Sequence, residues 1–295
     1  MEKLFIILIL RSNYRFHNII NLIRNEGTLI SWNGFKFPFD KDNKKDIRRI
    51  YLFSNRYGVE FSDTNRNWNY KEGIITTPSG IKFLIKKFDP LIFSETFLSD
   101  IHFSSFDLVN KVVIQAGGFI GDTALYYASR GAKIYSFEPD INSYNTAMKN
   151  IKLNPELSKV IVMKNYALGE DGEIDFPINP NGSGGSSASS INNKRTIKVK
   201  SISVNGILNE FSLKDPFLLD IDIKGNEFEL IKDKAISLFQ MVRVEYSTSI
   251  DGKMIGNRNT IINKLKEMGF KKIRVYKHNE GTYDLMAHGT IEASR

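Results

Sequence analysis

Two carboxylates and a run of glycines carry most of the chemistry legible in this chain. Gly117, Gly118 and Gly121 lie within VVIQAGGFIGDTALYYASRGAKIYSFEP, residues 112–139, and Glu138 follows about 20 residues after the first glycine. Glycines directly after an apolar run let the backbone turn sharply and let a ligand come close. An acid at the end of the next strand can accept both hydroxyls of a ribose. The pattern therefore predicts a strand, a glycine turn, a helix and a second strand that together hold a nucleotide-like cofactor. A second carboxylate, Asp222, closes the apolar run FLLDID further on. A carboxylate at a strand end can serve as a proton acceptor, or simply face a ligand or cap a helix. Glu245, at the end of another apolar run, is the next candidate for a proton acceptor.

The elements that must position these groups are readable from period and punctuation. Lys111 to Ala116 is rich in β-branched residues, as a strand covered on both faces requires. Asp122 to Ser129 has helical spacing, Gly131 stops it, and Lys133 to Phe137 reads as the following strand. Further strands are expected at Lys159 to Met163, Phe217 to Ile223 and Met241 to Tyr246, and smaller ones at Ile174 to Phe176 and Thr196 to Val199. Helices are expected at Ile141 to Leu153 and Asn257 to Met268, with closing strands at Phe270 to Val275 and Tyr283 to Ala287. This succession predicts an α/β fold with a doubly wound, mostly parallel Rossmann-like sheet over residues 111–295. Asn179 to Ser190, rich in glycine and serine, reads either as a linker or as a mobile loop beside the site.

Residues 1–110 read as a separate mixed α/β extension that covers the acceptor side of the pocket or pairs subunits. It holds a helix over Ser12 to Asn25, a hairpin around Trp32-Asn33-Gly34, a helix over Lys41 to Arg56 and a second hairpin around Pro78-Ser79-Gly80.

Composition narrows the function classes. The chain of 295 residues contains no cysteine, which excludes disulfides, thiolate metal sites and a cysteine nucleophile. No spaced set of metal ligands is visible, so no metal is expected; His278 and His288 read as ordinary surface or core residues. The net charge is +8, but the lysines after Ser190 are scattered rather than gathered with aromatics, so nucleic acid is not the expected partner. The apolar run Leu4 to Leu10 is too short to span a bilayer and lacks the flanks of a signal peptide, so a cytoplasmic location is expected.

The turn alone leaves two cofactor classes open. A dinucleotide site would need G-x-G-x-x-G, and Ala116-x-Gly118-x-x-Gly121 lacks the first glycine. Gln115, Gly117 and Gly121 suit the register of an S-adenosylmethionine site. The remaining landmarks resemble the FkbM family of S-adenosylmethionine-dependent methyltransferases. They are Gly117 to Asp122, Gly131 to Pro139, Asn150 to Asn154, Asn165-Tyr166-Ala167-Leu168-Gly169, and Leu218 to Glu227. The resemblance covers residues 111–273.

It implies that Gln115, Gly117, Gly118, Phe119, Gly121 and Asp122 surround the methionine moiety and that Glu138 holds the ribose. It further implies that Asn165, Tyr166 and Ala167 border the adenine and that Asp222 lies beside the sulfonium and the acceptor. The family also implies O-methylation of a hydroxyl on a sugar or other small metabolite. Three positions depart from its pattern: Gln115 stands for Asp, Asp220 for a frequent Lys, and Lys224 for the Glu before glycine. The last two read either as a charge swap that keeps a local interaction or as altered acceptor chemistry. The rival readings are an NAD-dependent oxidoreductase, a non-catalytic S-adenosylmethionine-binding protein and a nucleic-acid methyltransferase.

Overall fold

The computed structural model describes residues 2–32, 34–54, 69–77, 79–84, 106–177, 196–250, 253–279 and 288–295. The chain divides into two compact units, residues 1–107 with 149–156, and residues 108–148 with 157–295.

The second unit is built on a seven-stranded sheet. Its strands are β6 (Val112–Ala116), β7 (Lys133–Phe137), β8 (Ile161–Lys164), β12 (Leu218–Ile221), β13 (Met241–Ser247), β16 (Lys272–Asn279) and β17 (His288–Ser294), in the order β16-β17-β13-β12-β6-β7-β8. All pairings from β8 to β13 are parallel, and β17 is inserted antiparallel between β13 and β16. The expected closing strand at 283–287 lies outside the described residues, and the observed one begins at His288. The sheet is the predicted Rossmann-like one. Every residue of β12 is buried, and so is all of β6 beyond Val112. Such strands need helices on both faces, which explains their unbroken apolar runs.

Three helices, Val204–Glu210, Glu227–Leu230 and Arg258–Glu267, contribute Ile207, Phe228, Leu230, Ile261 and Leu265 to one core cluster with the sheet residues Ile114, Leu219, Val242 and Val244. Helix Asp122–Ser129 is buried from Asp122 through Ala128. Its burial goes beyond the single apolar face that spacing suggested. Strand order reverses at β6. From there the chain moves outward through β7 and β8, then returns to add β12 on the other side. The crevice outside the carboxyl ends of β6 and β12 is thus a topological switch point, where open α/β sheets bind ligands.

The stretches around Ile174 and Thr196 do not join this sheet. They form β10 (Gly172–Pro177) and β11 (Thr196–Ile202), an antiparallel ribbon that adds the short β9 (Ala167–Leu168) as a separate three-stranded sheet. The segment from Asn179 to Ser190 lies outside the described residues.

Among its described residues the first unit has helices α1 (Glu2–Arg11), α2 (Arg15–Arg24) and α3 (Lys44–Ser54) and five short strands. The predicted hairpins are β1 (Gly27–Ile30) with β2 (Lys36–Phe39), and β4 (Ile74–Thr76) with β5 (Lys82–Leu84). The sequence reading missed β3 (Asn69–Lys71), which pairs with β4. Two asparagines stitch the unit together. Asn18 bonds the Ile30 amide and carbonyl, while Asn154 bonds those of Lys82.

Candidate active site

Two loops meet at the switch point. After β6 the chain turns through Gly117, whose φ is +91°, and both Gly117 and Gly118 donate their amides to the Phe137 carbonyl at the end of β7. At the end of β12 the Asp222 amide donates to the Ala116 carbonyl at 2.9 Å. A Cβ on residue 117 would lie 2.0 Å from the Asp222 carbonyl oxygen. The glycine is thus required by the neighbouring strand end, whatever a ligand adds. At Gly118 the same construction meets Met163 and Ser136 side chains, and at Gly121 the Ala147 backbone at 3.3 Å. Gly117→Ala should cost about 1–3 kcal/mol of stability, since backbone has to move away from backbone. Gly118→Ala should cost less, because the Met163 side chain can rotate aside. Thermal unfolding of the two variants checks the order.

Phe119 is a bulky residue in the left-handed region, with φ of +41°, a conformation costing roughly 1–3 kcal/mol. Glu138 holds it there. One Glu138 oxygen accepts the Phe119 amide at 2.7 Å, and the other accepts the Asp140 amide at 2.8 Å. The same device recurs one loop away. Lys224 has φ of +27°, and buried Glu227 accepts the amides of Gly225 and of Ser247 at the end of β13. A buried glutamate therefore pins each of the two loops. Glu227 belonged to a motif in the sequence without an assigned task. Its task depends on Ser247, which local pattern does not reveal.

Burial pushes the Glu138 carboxyl up to about 7, against the lowering effect of its two amide donors. An ionised carboxylate offers about four lone-pair directions, so two remain for further donors such as the vicinal hydroxyls of a ribose. Asn165 fixes this corner, with its side-chain amide donating to the Glu138 and Pro139 carbonyls at 2.8 and 3.0 Å. Tyr166 stacks on Phe137 with ring centroids 6.3 Å apart, and the Lys200 ammonium lies 4.3 Å from the Tyr166 centroid. Ala167 is buried in β9, opposite Ser201. Asp122 is buried in the first turn of the helix that Gly121 opens.

Gln115 is buried and engaged at both ends. Its oxygen accepts the Ser136 hydroxyl at 2.8 Å, and its amide donates to the Gly117 carbonyl at 3.2 Å. It thereby braces the glycine turn from below. Asp220 also has partners that local pattern did not suggest. Its two oxygens accept the Arg243 guanidinium at 2.7 Å and the Tyr127 hydroxyl at 2.8 Å, and all three side chains are buried. The ion pair of Asp220 is therefore made with Arg243 across the β12–β13 ladder, where the two residues are in register.

Asp222 directly follows β12 and is half-buried. Desolvation pushes its carboxyl well above the usual range; nearby Glu245 adds to the shift, while Lys224 and Arg243 oppose it. Glu245 is half-buried and lies 3.4 Å from Arg243. A partly desolvated carboxylate with a raised pKa is a stronger base than one in water. No cluster of residues suited to a metal ion occurs among the described residues. The strands β16 and β17 contain His278 and His288, whose side chains lie outside the described ones.

A family model described as "Methyltransferase FkbM domain" matches residues 115–272, more than half of the chain. Among solved structures, the chain is similar to the METTL16 MTase domain at 15% identity, covering 96% of this chain and 95% of that one with a TM-score of 0.47. It is similar to M. jannaschii TYW2 in complex with AdoMet at 14% identity, over 80% of this chain and 88% of that one, with a TM-score of 0.40. EvdMO1 is 14% identical over 66% of this chain, which spans only 39% of the EvdMO1 chain, with a TM-score of 0.40. No curated protein matches the chain.

Proposed function

The chain belongs to the FkbM methyltransferase family, and on that premise we propose that it moves a methyl group from S-adenosylmethionine to a hydroxyl oxygen of a sugar or other small metabolite. The observation that carries this reading is the meeting of the Glu138-pinned turn with the end of β12. It brings the ribose-type acceptor and the candidate base Asp222 to one switch point. Family membership sets the NAD-dependent reading aside.

The residues present fit the donor. Glu138 retains acceptor capacity for the ribose hydroxyls. Gln115, Gly117, Gly118, Phe119, Gly121 and Asp122 form the loop and helix start that would surround the methionine end, and Tyr166 with Ala167 would border the base. When bound, the donor supplies an electrophilic methyl on a sulfonium. The chain's own work is alignment, since an in-line displacement depends on how nucleophile and methyl are held. Asp222 accepts the hydroxyl proton on a carboxylate oxygen as the acceptor attacks. The acceptor class is tested by incubating the protein with labelled donor and a panel of hydroxyl, carboxyl and amine compounds. A base-stable methyl ether supports the reading, and methyl esters or methylamines as the only products overturn it.

Glu138 makes binding pH-dependent. Its folded pKa of about 7 lies above the ordinary 4.5, so its contribution to folding is fullest below 4.5 and is lost as pH rises to about 7. Ribose hydroxyls donate to the ionised form. Affinity for S-adenosylhomocysteine should therefore rise with pH up to about 7, by at most about tenfold per unit, and level off above it. Glu138→Gln should flatten the profile. Glu138→Ala should weaken binding by about 1–3 kcal/mol, as hydroxyls lose a charged acceptor. Calorimetry across pH 6 to 8, with an unchanged profile in Glu138→Gln, would remove Glu138 from the ribose site.

A further inference from the structure

The first unit exposes an apolar surface that the methyltransferase reading does not use. On α1, Phe5 and Ile9 point into the core, while Ile6, Ile7 and Leu10 are exposed. The latter three share the opposite face by i, i+3, i+4 spacing. On α2, Phe16, Ile20 and Ile23 repeat at i, i+4, i+7 and are 70%, 50% and 75% exposed. The two faces meet at a groove of about 320 Å³ whose lining includes Ile6, Ile9, Leu10, Ile19, Ile23 and Arg48. Isolated exposed apolar residues are common, but a contiguous patch on two adjoining helices marks an interaction surface.

Charge decides what fits it. Helices α1 and α2, with their connection, contain Lys3, Arg11, Arg15 and Arg24 against one acidic residue, Glu2. All four cations are exposed, and the Arg15 guanidinium lies 5.1 Å from the Phe16 ring centroid. Arg48 flanks the groove, 5.1 Å from the Phe5 ring centroid. A second copy facing this patch would bring cations against cations. An anionic bilayer surface accepts both the apolar side chains and the charges around them. At ten residues α1 is about 15 Å long, half the thickness of a bilayer core, and no described helix is long and apolar enough to cross a membrane. The geometry is that of shallow insertion.

We propose that the α1–α2 face docks on anionic lipid surfaces, with Ile6, Leu10, Phe16, Ile20 and Ile23 entering the headgroup boundary and Lys3, Arg11, Arg15 and Arg24 meeting lipid phosphates. The test is co-sedimentation of the full chain with vesicles of phosphatidylglycerol and phosphatidylcholine, compared with phosphatidylcholine alone. The bound fraction should be high only on the anionic vesicles and should fall as salt is raised. Phe16→Ser with Ile23→Ser should lower partitioning by about tenfold or more, because two exposed apolar side chains no longer insert. Both positions are exposed, and unchanged near-ultraviolet dichroism and S-adenosylhomocysteine affinity would show that the variant is folded. Equal binding of parent and double variant, or no binding to anionic vesicles, overturns the proposal. A dimer that the double variant abolishes, in a protein that ignores vesicles, would assign the face to a second copy instead. The proposal does not rest on the methyl-transfer reading, and neither outcome alters it.

Discussion

Asp222→Asn is expected to lower kcat by about 10²–10⁴-fold, the usual contribution of a positioned general base, while leaving S-adenosylhomocysteine affinity nearly unchanged. The substitution keeps size and hydrogen-bonding capacity but removes the proton acceptor. Asp222 is pushed well above the usual carboxylate range by burial first and by Glu245 second, with Lys224 and Arg243 opposing. Only its ionised form can act as base. Wild-type kcat should therefore climb with pH through a value above that range, and the variant should lack this limb. The same shift makes a stability prediction of opposite sign to the activity loss. A raised folded pKa means that the carboxylate favours the fold below its unfolded pKa and opposes it at neutral pH. Asp222→Asn should raise the melting temperature at neutral pH, and the gain should shrink in acid. An unchanged kcat, or a loss of stability at neutral pH, would argue against Asp222 as a strained, working base.

Arg243→Met should cost about 3–5 kcal/mol of unfolding free energy, the scale for breaking a buried pair by removing one partner. Arg243 and Asp220 are both essentially inaccessible, and the guanidinium also reaches Glu245 at 3.4 Å. Without it, the Asp220 carboxylate is left buried with the Tyr127 hydroxyl as its remaining neutral donor. Adding Asp220→Leu and Tyr127→Phe to Arg243→Met removes the whole polar set and should recover most of the loss, since buried ion pairs gain little over well-packed apolar side chains. Urea unfolding of the single and triple variants gives the comparison. Equal losses in both would mean that packing around Arg243, and not its charge, is what the site needs. The single variant should also alter the pH dependence of kcat. Arg243 lowers the Asp222 pKa, so its removal should move the rising limb to higher pH.

The parts of this protein that were legible in the sequence are those whose causes are local. Strand β6, the glycine turn, the following helix and β7 follow from side-chain period and from backbone conformations that glycine permits, all within residues 112–139. The strands that ended up outside the main sheet show the limit. Residues 172–177 and 196–202 have strand character in any environment, and only pairing with Ala167 and Leu168 decided which sheet they join. The exchange of charges at Asp220 and Lys224 shows it again. The two positions read from sequence as a charge swap or as altered acceptor chemistry, and the partners of Asp220 come from elsewhere: the β12–β13 register sets it opposite Arg243, 23 residues away, and Tyr127 reaches it from 93 residues away.

Sequence by itself determined the α/β order, because glycine turns and buried strands are short-range consequences of residue type, and its resemblance to the FkbM family supplied the donor class that the turn alone left open. Tertiary structure alone decided how the site is held. Gln115 braces the turn through Ser136, Glu138 and Glu227 each pin a left-handed loop residue or its neighbour, and Arg243 supplies the charge that Asp220 needs. Apart from the bond between Gly225 and Glu227, two residues apart, these bonds join groups about 20 residues apart that the fold brings together, and Glu227 gains its distant partner in Ser247. Burial then raises the affinity of Glu138 and Asp222 for protons, and burial is a property of the packed protein rather than of any segment.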